Sequence, residues 1–85
     1  MMKHASHDDV ANRLRRAAGH LNSILRMIEE KRPCLELAQQ IYAVEAAVAG
    51  AKQLLIHDHM DHCLNGSTKD AKAALKELKA LTKYL

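Results

Sequence analysis

The chain has 85 residues, no Trp or Phe and only two Tyr, so its core must be built from Ala, Leu, Ile, Val and Met and would be thin for a monomer. Abundant Ala, Leu, Lys and Glu, with a single Pro, predict one all-α domain over residues 1–85. No apolar run reaches the roughly 18 to 20 residues of a membrane span, and residues 1–7 lack the apolar segment of a signal peptide, so we expect a cytoplasmic protein without a membrane partner.

The first helix is predicted to begin at Ser6, which forms a capping box with Asp9, after a flexible segment at residues 1–5. Apolar residues then recur at steps of three and four and predict an inward stripe. Its members are Val10, Leu14, Ala17, Leu21, Ile24 or Leu25, and Ile28. The helix is expected to end near Lys31, because Pro33 suits the first position of a new helix.

The second helix is predicted to run from Cys34 to the turn signal at Asn65 and Gly66, about 30 residues. Its seam has heptad spacing and comprises Leu37, Ile41, Val44, Val48, Ala51 and Leu55. A helix of this length needs a partner helix. Small residues around positions 47 and 48 would let an antiparallel second copy cross there on a two-fold axis.

The third helix is predicted to begin at Ser67, with Asp70 as its capping-box partner. We expect it to turn Ala71, Ala74, Leu75, Leu78 and Leu81 inward. Lysines form a separate face on the same helix, at positions 69, 72, 76, 79 and 83. Such a face is equally compatible with simple solvation and with a nucleic-acid partner.

Three residues predict a metal site: Cys34, His59 and Cys63. His59 and Cys63 are four apart and share a helical face, whereas 25 residues of continuous helix would place Cys34 about 37 Å from His59. A second, antiparallel copy would close that gap. Two thiolates and an imidazole suit Cu(I), while Ni(II) would need a further donor such as His4, His7 or His62. Taken singly, each of the three residues is also compatible with a purely packing role.

The basic residues predict a DNA partner. The formal net charge is +3, and Arg13, Arg15 and Arg16 cluster on the first helix. Repeated on a symmetric assembly, this cluster would neutralise DNA phosphates and give a salt-dependent affinity. A DNA-independent metal-storage protein or chaperone would share the cysteines but would leave the arginines unexplained. The sequence shows no pairing of a nucleophile with a general base that would indicate catalysis, so we do not expect the protein to be an enzyme.

The stretch from Asn12 to Cys63 closely resembles the CsoR family of copper-sensing transcriptional repressors, within the CsoR/RcnR/FrmR superfamily. The resemblance is carried by NRLRRAAGHLNSILRMIEE, by CLELAQQIYAVEAAVAGAKQLLIHDHMDHC, and by the Cys, His and Cys spacing. It implies a three-helix protomer, an antiparallel four-helix-bundle dimer and a disc-shaped homotetramer. It also implies a repressor that binds operator double-stranded DNA when metal-free and releases it on binding Cu(I), derepressing copper efflux genes.

The resemblance also implies roles for individual residues. Cys34 of one protomer and His59 and Cys63 of another would hold Cu(I), and Glu77 matches a glutamate of the third helix that supports those ligands. Arg13 matches the DNA-contacting arginine of the family, with Arg15 and Lys52 as plausible neighbours.

Two departures keep alternatives open. Pro33 stands where copper sensors often have a Tyr, so the signal cannot pass through a hydrogen bond from that Tyr to Glu77. Nickel and cobalt sensors add an N-terminal His, which would fall near Met2, two positions from His4. A Ni(II)- or Co(II)-responsive repressor and a thiol- or persulfide-responsive repressor acting through Cys34 and Cys63 are therefore the alternatives.

Overall fold

A computed structural model describes residues 6–64 and 71–85, with only the backbone described at positions 63 and 64. These residues form three α-helices, α1 (His7–Glu29), α2 (Cys34–Leu64) and α3 (Ala71–Leu81), followed by a single 3₁₀ turn at Thr82–Tyr84. No strand occurs within these ranges, which confirms the all-α prediction. No helix in the same ranges combines the length and apolar character that crossing a bilayer requires.

The start of α1 lies where the sequence predicts it, but the predicted capping box is wrong. Ser6 occupies the N-cap position and its carbonyl accepts a hydrogen bond from the Val10 N–H at 2.8 Å. Its backbone is helical, with φ −79° and ψ −13°, and its hydroxyl makes no capping hydrogen bond. A capping side chain works from an extended N-cap backbone, so the helical conformation of Ser6 explains the difference.

The connection between α1 and α2 is a tight C-terminal cap. Lys31 has φ 58°, in the left-handed region, and its N–H donates to the Ile28 carbonyl at 3.0 Å. The Arg32 N–H donates to the Met27 carbonyl at 3.0 Å, which completes a Schellman motif. The Pro33 carbonyl accepts a hydrogen bond from the Leu37 N–H at 3.1 Å. Pro33 therefore lies just before the helix, and Cys34 is the first helical residue, as predicted.

The predicted length of α2 is confirmed, because the helix is continuous over 31 residues. Its apolar residues do not lie on one side only, unlike those of α1, and they surround much of the helix. A helix that is apolar around its circumference is normally covered from several directions. Within this chain, α1 packs along α2, and α3 packs against its C-terminal part.

The apolar stripes of α1 and α2 are each divided between a buried and an exposed surface. Buried on α1 are Val10, Ala17 and Ile24, and buried on α2 are Val44, Ala51 and Ile56. Exposed between them are Leu14, Leu21, Leu25 and Ile28 on α1, and Ile41, Val48 and Leu55 on α2. The prediction that the whole α1 stripe turns inward is therefore wrong within one chain. A single α1–α2 contact covers only half of each stripe.

Helix α3 contributes less to the core than the sequence predicts. Ala74 is buried, and Leu78 and Leu81 are half-buried, but Ala71 and Leu75 are exposed. The reason is that α3 has one neighbour, the C-terminal part of α2, so only one edge of its apolar face is covered. The predicted helix start at Ser67, its partner Asp70, and Lys69 lie outside the described residues.

The shape is elongated, with principal extents of 55 × 23 × 13 Å and a radius of gyration of 17.3 Å. A compact domain of this length would have a radius of gyration of about 12 Å. The accessible surface of 6698 Å² is likewise about a third larger than a folded monomer of 9.5 kDa normally exposes. The chain therefore exposes more surface than a compact monomer, including many large apolar side chains.

Candidate metal centre and basic cleft

The three predicted metal ligands lie at opposite ends of α2. Cys34 is the first residue of the helix and its side chain is exposed. His59 and Cys63 belong to its last two turns. Because the helix is continuous, its rise places Cys34 about 37 Å from His59. Within the described part of the chain, no group of three His, Cys, Asp or Glu residues comes close enough to hold a metal ion.

The side chain of His59 extends from α2 towards α3 and contacts Glu77. Its Nε2 is buried and lies 3.0 Å from Oε1 of Glu77. The imidazole is 26% exposed, whereas the Glu77 side chain is 55% exposed. The two atoms are at ion-pair distance, without the directed geometry of a hydrogen bond. One carboxylate oxygen of Glu77 thus holds the ring from α3 while most of its side chain faces solvent.

A small cavity adjoins this contact. It measures about 160 Å³ and is lined by Leu55, Ile56, His59, Glu77 and Leu81. The apolar residues form one wall, and the His59–Glu77 contact forms the polar part. This arrangement exists because α3 runs back along the C-terminal half of α2, where Ile56 and Ala74 are buried. Helix α3 therefore fixes the position of a predicted metal ligand.

The surroundings of Cys34 differ from those of His59. Arg32 and Glu36 lie on either side of it in sequence and form a bidentate pair, with Nη2 of Arg32 2.8 Å and 2.9 Å from the two carboxylate oxygens of Glu36. The Cys34 thiol is exposed at the start of the helix. An exposed thiol of this kind is open to a ligand or a second chain without rearrangement of the core.

The other predicted donors have mixed placements. His62 is half-buried in the last turn of α2. His7, the first residue of α1, is exposed, and His4 lies outside the described residues. The Cys63 side chain is also outside the described part, although its backbone continues α2.

A basic cleft lies on the groove between α1 and α2. It measures about 190 Å³ and is lined by Arg13, Arg16, Ala17, His20 and Ala47. Two of the four predicted DNA-binding residues, Arg13 and Arg16, thus share one concave surface. Arg15 lies elsewhere on α1 and donates to Oδ1 of Asn12 at 2.8 Å, while Lys52 is exposed on α2.

His20 lies on the same face of α1 as the arginines of the cleft and makes a hydrogen bond to a residue of α2. Nε2 of His20 lies 2.6 Å from Oε1 of Gln40, so the contact joins α1 to α2. Sequence reasoning does not place His20 beside the arginines. The signal that could have done so is its spacing, because positions 13, 16 and 20 follow steps of three and four and share a helical face.

The known proteins to which this chain is similar are all described as transcriptional repressors or regulators that respond to a metal. The sequence model of a family described as metal-sensitive transcriptional repressor matches residues 6–84. The chain is similar to the copper-sensing transcriptional repressor CsoR of Mycobacterium ulcerans (strain Agy99), with 33% identity over 75 residues, which cover 86% of this chain and 64% of that protein. It is also similar to the copper-sensing transcriptional repressor CsoR of Bacillus subtilis (strain 168), with 37% identity over 73 residues, or 84% and 72% of the two chains.

The chain thus spans less than two thirds of the length of the mycobacterial relative. Among solved structures, it is similar to the nickel-responsive transcriptional regulator InrS. The TM-score is 0.83 and the identity 31%, over 100% of this chain and 99% of that one. The relatives' descriptions thus name two different metals.

Proposed function

Because the chain belongs to the family of metal-sensitive transcriptional repressors, we propose that it is a repressor that binds operator DNA when metal-free and releases it when Cu(I) binds between two subunits. The genes controlled would be those of copper efflux, and the protein would act in the cytoplasm. The observation that supports this most directly is the arrangement of α2, which carries an exposed Cys34 at one end and His59, supported by Glu77, near the other.

The proposed assembly is an antiparallel dimer. Exposed apolar residues recur every seven positions on α1, at Leu14, Leu21 and Ile28, and on α2, at Ile41, Val48 and Leu55. This is the pattern that packs helices of a second copy side by side. An antiparallel copy centred near residues 47 and 48 would bring Cys34 of each chain to His59 and Cys63 of the other. Two such dimers would form the tetramer that the family resemblance implies.

The donor set fits Cu(I). Two thiolates and one imidazole are soft or borderline ligands, and Cu(I) accepts three of them in a plane. Since Glu77 holds Nε2 of His59, the metal would be bound through Nδ1, on the other side of the ring. A carboxylate on the far nitrogen orients the imidazole and strengthens it as a ligand. Bound there, the ion supplies a cross-link between two chains and no catalytic chemistry.

The switch would act through the positions of helices. Joining the N-terminal end of one α2 to the C-terminal end of another favours one relative placement of the two chains. Arg13, Arg15, Arg16 and Lys52 would contact DNA only in the other placement. A coupling of roughly 1 to 3 kcal/mol between metal and DNA is typical of such regulation.

A nickel-responsive repressor is the second candidate, favoured by the similarity to InrS over the whole chain. Ni(II) in square-planar geometry would need a fourth nitrogen or sulfur donor, and His4 or His62 would supply it. A thiol- or persulfide-responsive repressor using Cys34 and Cys63 is the remaining alternative, and it gives no role to the contact between His59 and Glu77.

The deciding experiment is an anaerobic titration of the reduced protein with Cu(I) and, separately, with Ni(II). The metal–thiolate absorption reports binding, and the fluorescence anisotropy of a labelled duplex from upstream of its own gene reports DNA release. We expect one Cu(I) per chain, loss of DNA binding, and no release by Ni(II). Release by Ni(II) alone would replace the copper assignment with the nickel one. Cys34→Ala is the control, which should bind DNA and ignore copper.

A further inference from the structure

The basic cleft between α1 and α2 contains a residue that the proposed function does not use. Two of its lining residues, Arg13 and Arg16, are proposed DNA contacts, but His20 is not. We propose that this cleft binds one backbone phosphate of duplex DNA and that His20 contacts the phosphate together with the two arginines. The inference rests on the proposed DNA-binding function and assigns its phosphate site.

The lining of the cleft suits a phosphodiester oxyanion. Arg13 and Arg16 each carry a planar fork of five N–H donors, which matches phosphate oxygens in pairs. His20 lies on the same face of α1; its Nε2–H donates to Oε1 of Gln40, so it contacts the phosphate through the Nδ1–H of the imidazolium. None of the five lining residues is acidic, so no carboxylate competes with the ligand inside the cleft. The donors come from one rigid helix, which fixes their spacing before DNA arrives.

The size of the cleft also fits. The cleft volume of about 190 Å³ is several times the roughly 30 Å³ that one water molecule occupies. It therefore accommodates one tetrahedral oxyanion. Its two apolar lining residues are both small: Ala17, which is buried in the helix pair, and Ala47, which is exposed on α2. Their small side chains leave space beside the charged residues of the cleft.

The neighbours of the three donors leave them available. Nε of Arg13 lies 3.4 Å from Oδ1 of Asp9, but both side chains are about half exposed. A long, solvent-exposed pair of this kind contributes little and exchanges readily for a phosphate. His20 is held differently, because Gln40 of α2 contacts its Nε2 at 2.6 Å. This contact fixes the ring at the cleft, so its orientation is determined across two helices.

The contact with Gln40 makes the proposed phosphate site depend on both helices of the groove. Gln40 belongs to α2, six residues after Cys34 on the same helix. A phosphate held by α1 donors and by a histidine positioned from α2 would sense a displacement of one helix along the other. The site would therefore be sensitive to the helix movement that metal binding is proposed to cause.

The test uses the metal-free full chain and a fluorescein-labelled duplex, with affinity measured by anisotropy over a series of salt concentrations. Arg16→Ala, His20→Ala and the double variant are compared with the wild type. Arg26→Ala is the matched control, because Arg26 is an exposed arginine of α1 that bonds to Ser23 at 3.0 Å, outside the cleft. Circular dichroism and sedimentation verify that each variant keeps its helices and its assembly state.

We expect Arg16→Ala and His20→Ala each to weaken DNA binding several-fold, and Arg16→Ala to reduce the slope of log K against log salt by about 0.9 for each phosphate that is no longer neutralised. The fold-loss of DNA affinity in the double variant should be smaller than the product of the fold-losses in the two single variants, because both residues contact the same phosphate. Arg26→Ala should leave the slope unchanged. A purely structural role for His20 would give losses that multiply independently.

Three results would overturn the inference. If wild-type DNA binding shows no salt dependence, both the repressor function and the phosphate site fail. If the wild type binds DNA but the cleft variants behave like Arg26→Ala, only the phosphate site fails. If the cleft variants lose binding of inorganic phosphate, measured by calorimetry, but keep full DNA affinity and slope, the cleft is a small-anion site and its assignment to DNA is wrong.

Discussion

Nε2 of His59 lies 3.0 Å from Oε1 of Glu77, so a residue of α3 holds a predicted metal ligand of α2. The sequence resemblance implies a supporting role for Glu77, and the contact gives that role a physical basis. The carboxylate lies against Nε2, which leaves Nδ1, on the other side of the ring, as the nitrogen proposed to bind the metal.

Glu77→Gln is expected to weaken metal binding about 10- to 100-fold, because the neutral amide orients the imidazole without increasing its basicity. Affinity of the metal-free protein for DNA should be unchanged. Competition with a Cu(I) chelator measures the first quantity and anisotropy the second. Glu29→Gln, at the exposed end of α1, is the matched control and should retain the wild-type metal affinity. Equal metal affinities for the two variants would remove Glu77 from the site.

A mixing experiment tests whether the metal site is shared between chains. Cys34→Ala and His59→Ala are each expected to bind no metal tightly. A dimer with one chain of each type would regain one intact site, in which Cys34 comes from the His59→Ala chain. After unfolding and refolding of an equal mixture, about a quarter of the wild-type sites should return. A mixture that stays at zero would contradict a metal site shared between two chains.

Leu21→Glu tests the exposed apolar surface. Leu21 is 47% exposed in the single chain, so a charge there costs little unless a second copy covers it. We expect the variant to sediment as a smaller species than the wild type. Leu75→Glu serves as the control, since Leu75 is similarly exposed at 55% but belongs to α3. Identical sedimentation of Leu21→Glu and the wild type would contradict the proposed packing.

The two helical glycines offer a paired test of where the copies approach. A Cβ added at Gly19 or at Gly50 meets nothing within 4 Å in the single chain. Gly19→Ala should therefore stabilise α1 by roughly 0.5 to 1 kcal/mol in urea unfolding. Gly50 lies close to the proposed two-fold axis, so Gly50→Leu should weaken association while Gly19→Leu leaves it intact. Equal association of the two leucine variants would move the axis elsewhere.

Lys31→Gly is expected to stabilise the fold by up to about 1 kcal/mol. Lys31 adopts φ 58°, and a side chain in the left-handed region costs about 1 to 2 kcal/mol, part of which returns as the greater chain entropy of glycine when unfolded. Urea unfolding at equal protein concentration measures the change. Lys31→Ala keeps the Cβ and should show no gain, so equal midpoints for the two variants would exclude this explanation.

The elements of this fold could be predicted because their signals are local. The periodicity of α1, the unbroken seam of α2 and the break at Pro33 all act within a few residues, and the helices lie where these signals indicate. The division of each stripe into a buried and an exposed half could not be predicted. It depends on the angle at which α1 meets α2, and heptad spacing is the same for both halves.

The candidate sites show the same limit. The placement of Cys34 and His59 at opposite ends of one helix follows from spacing and is confirmed. The position of His20 beside Arg13 and Arg16 follows from their spacing on one helix, but its contact with Gln40 depends on the register between two helices. No local pattern encodes that register. Helix caps are a further case, because Ser6 has the residue type for a cap but not the backbone conformation.

The elongated shape has a consequence for how this chain reaches its native state. A hairpin 55 Å long, whose buried apolar residues are mostly Val, Ala and Ile, has little to hold it together before its exposed leucines are covered. If a second copy provides that cover, folding and association become one event. Refolding should then follow second-order kinetics, and newly made chains would become competent repressors only as fast as they find each other.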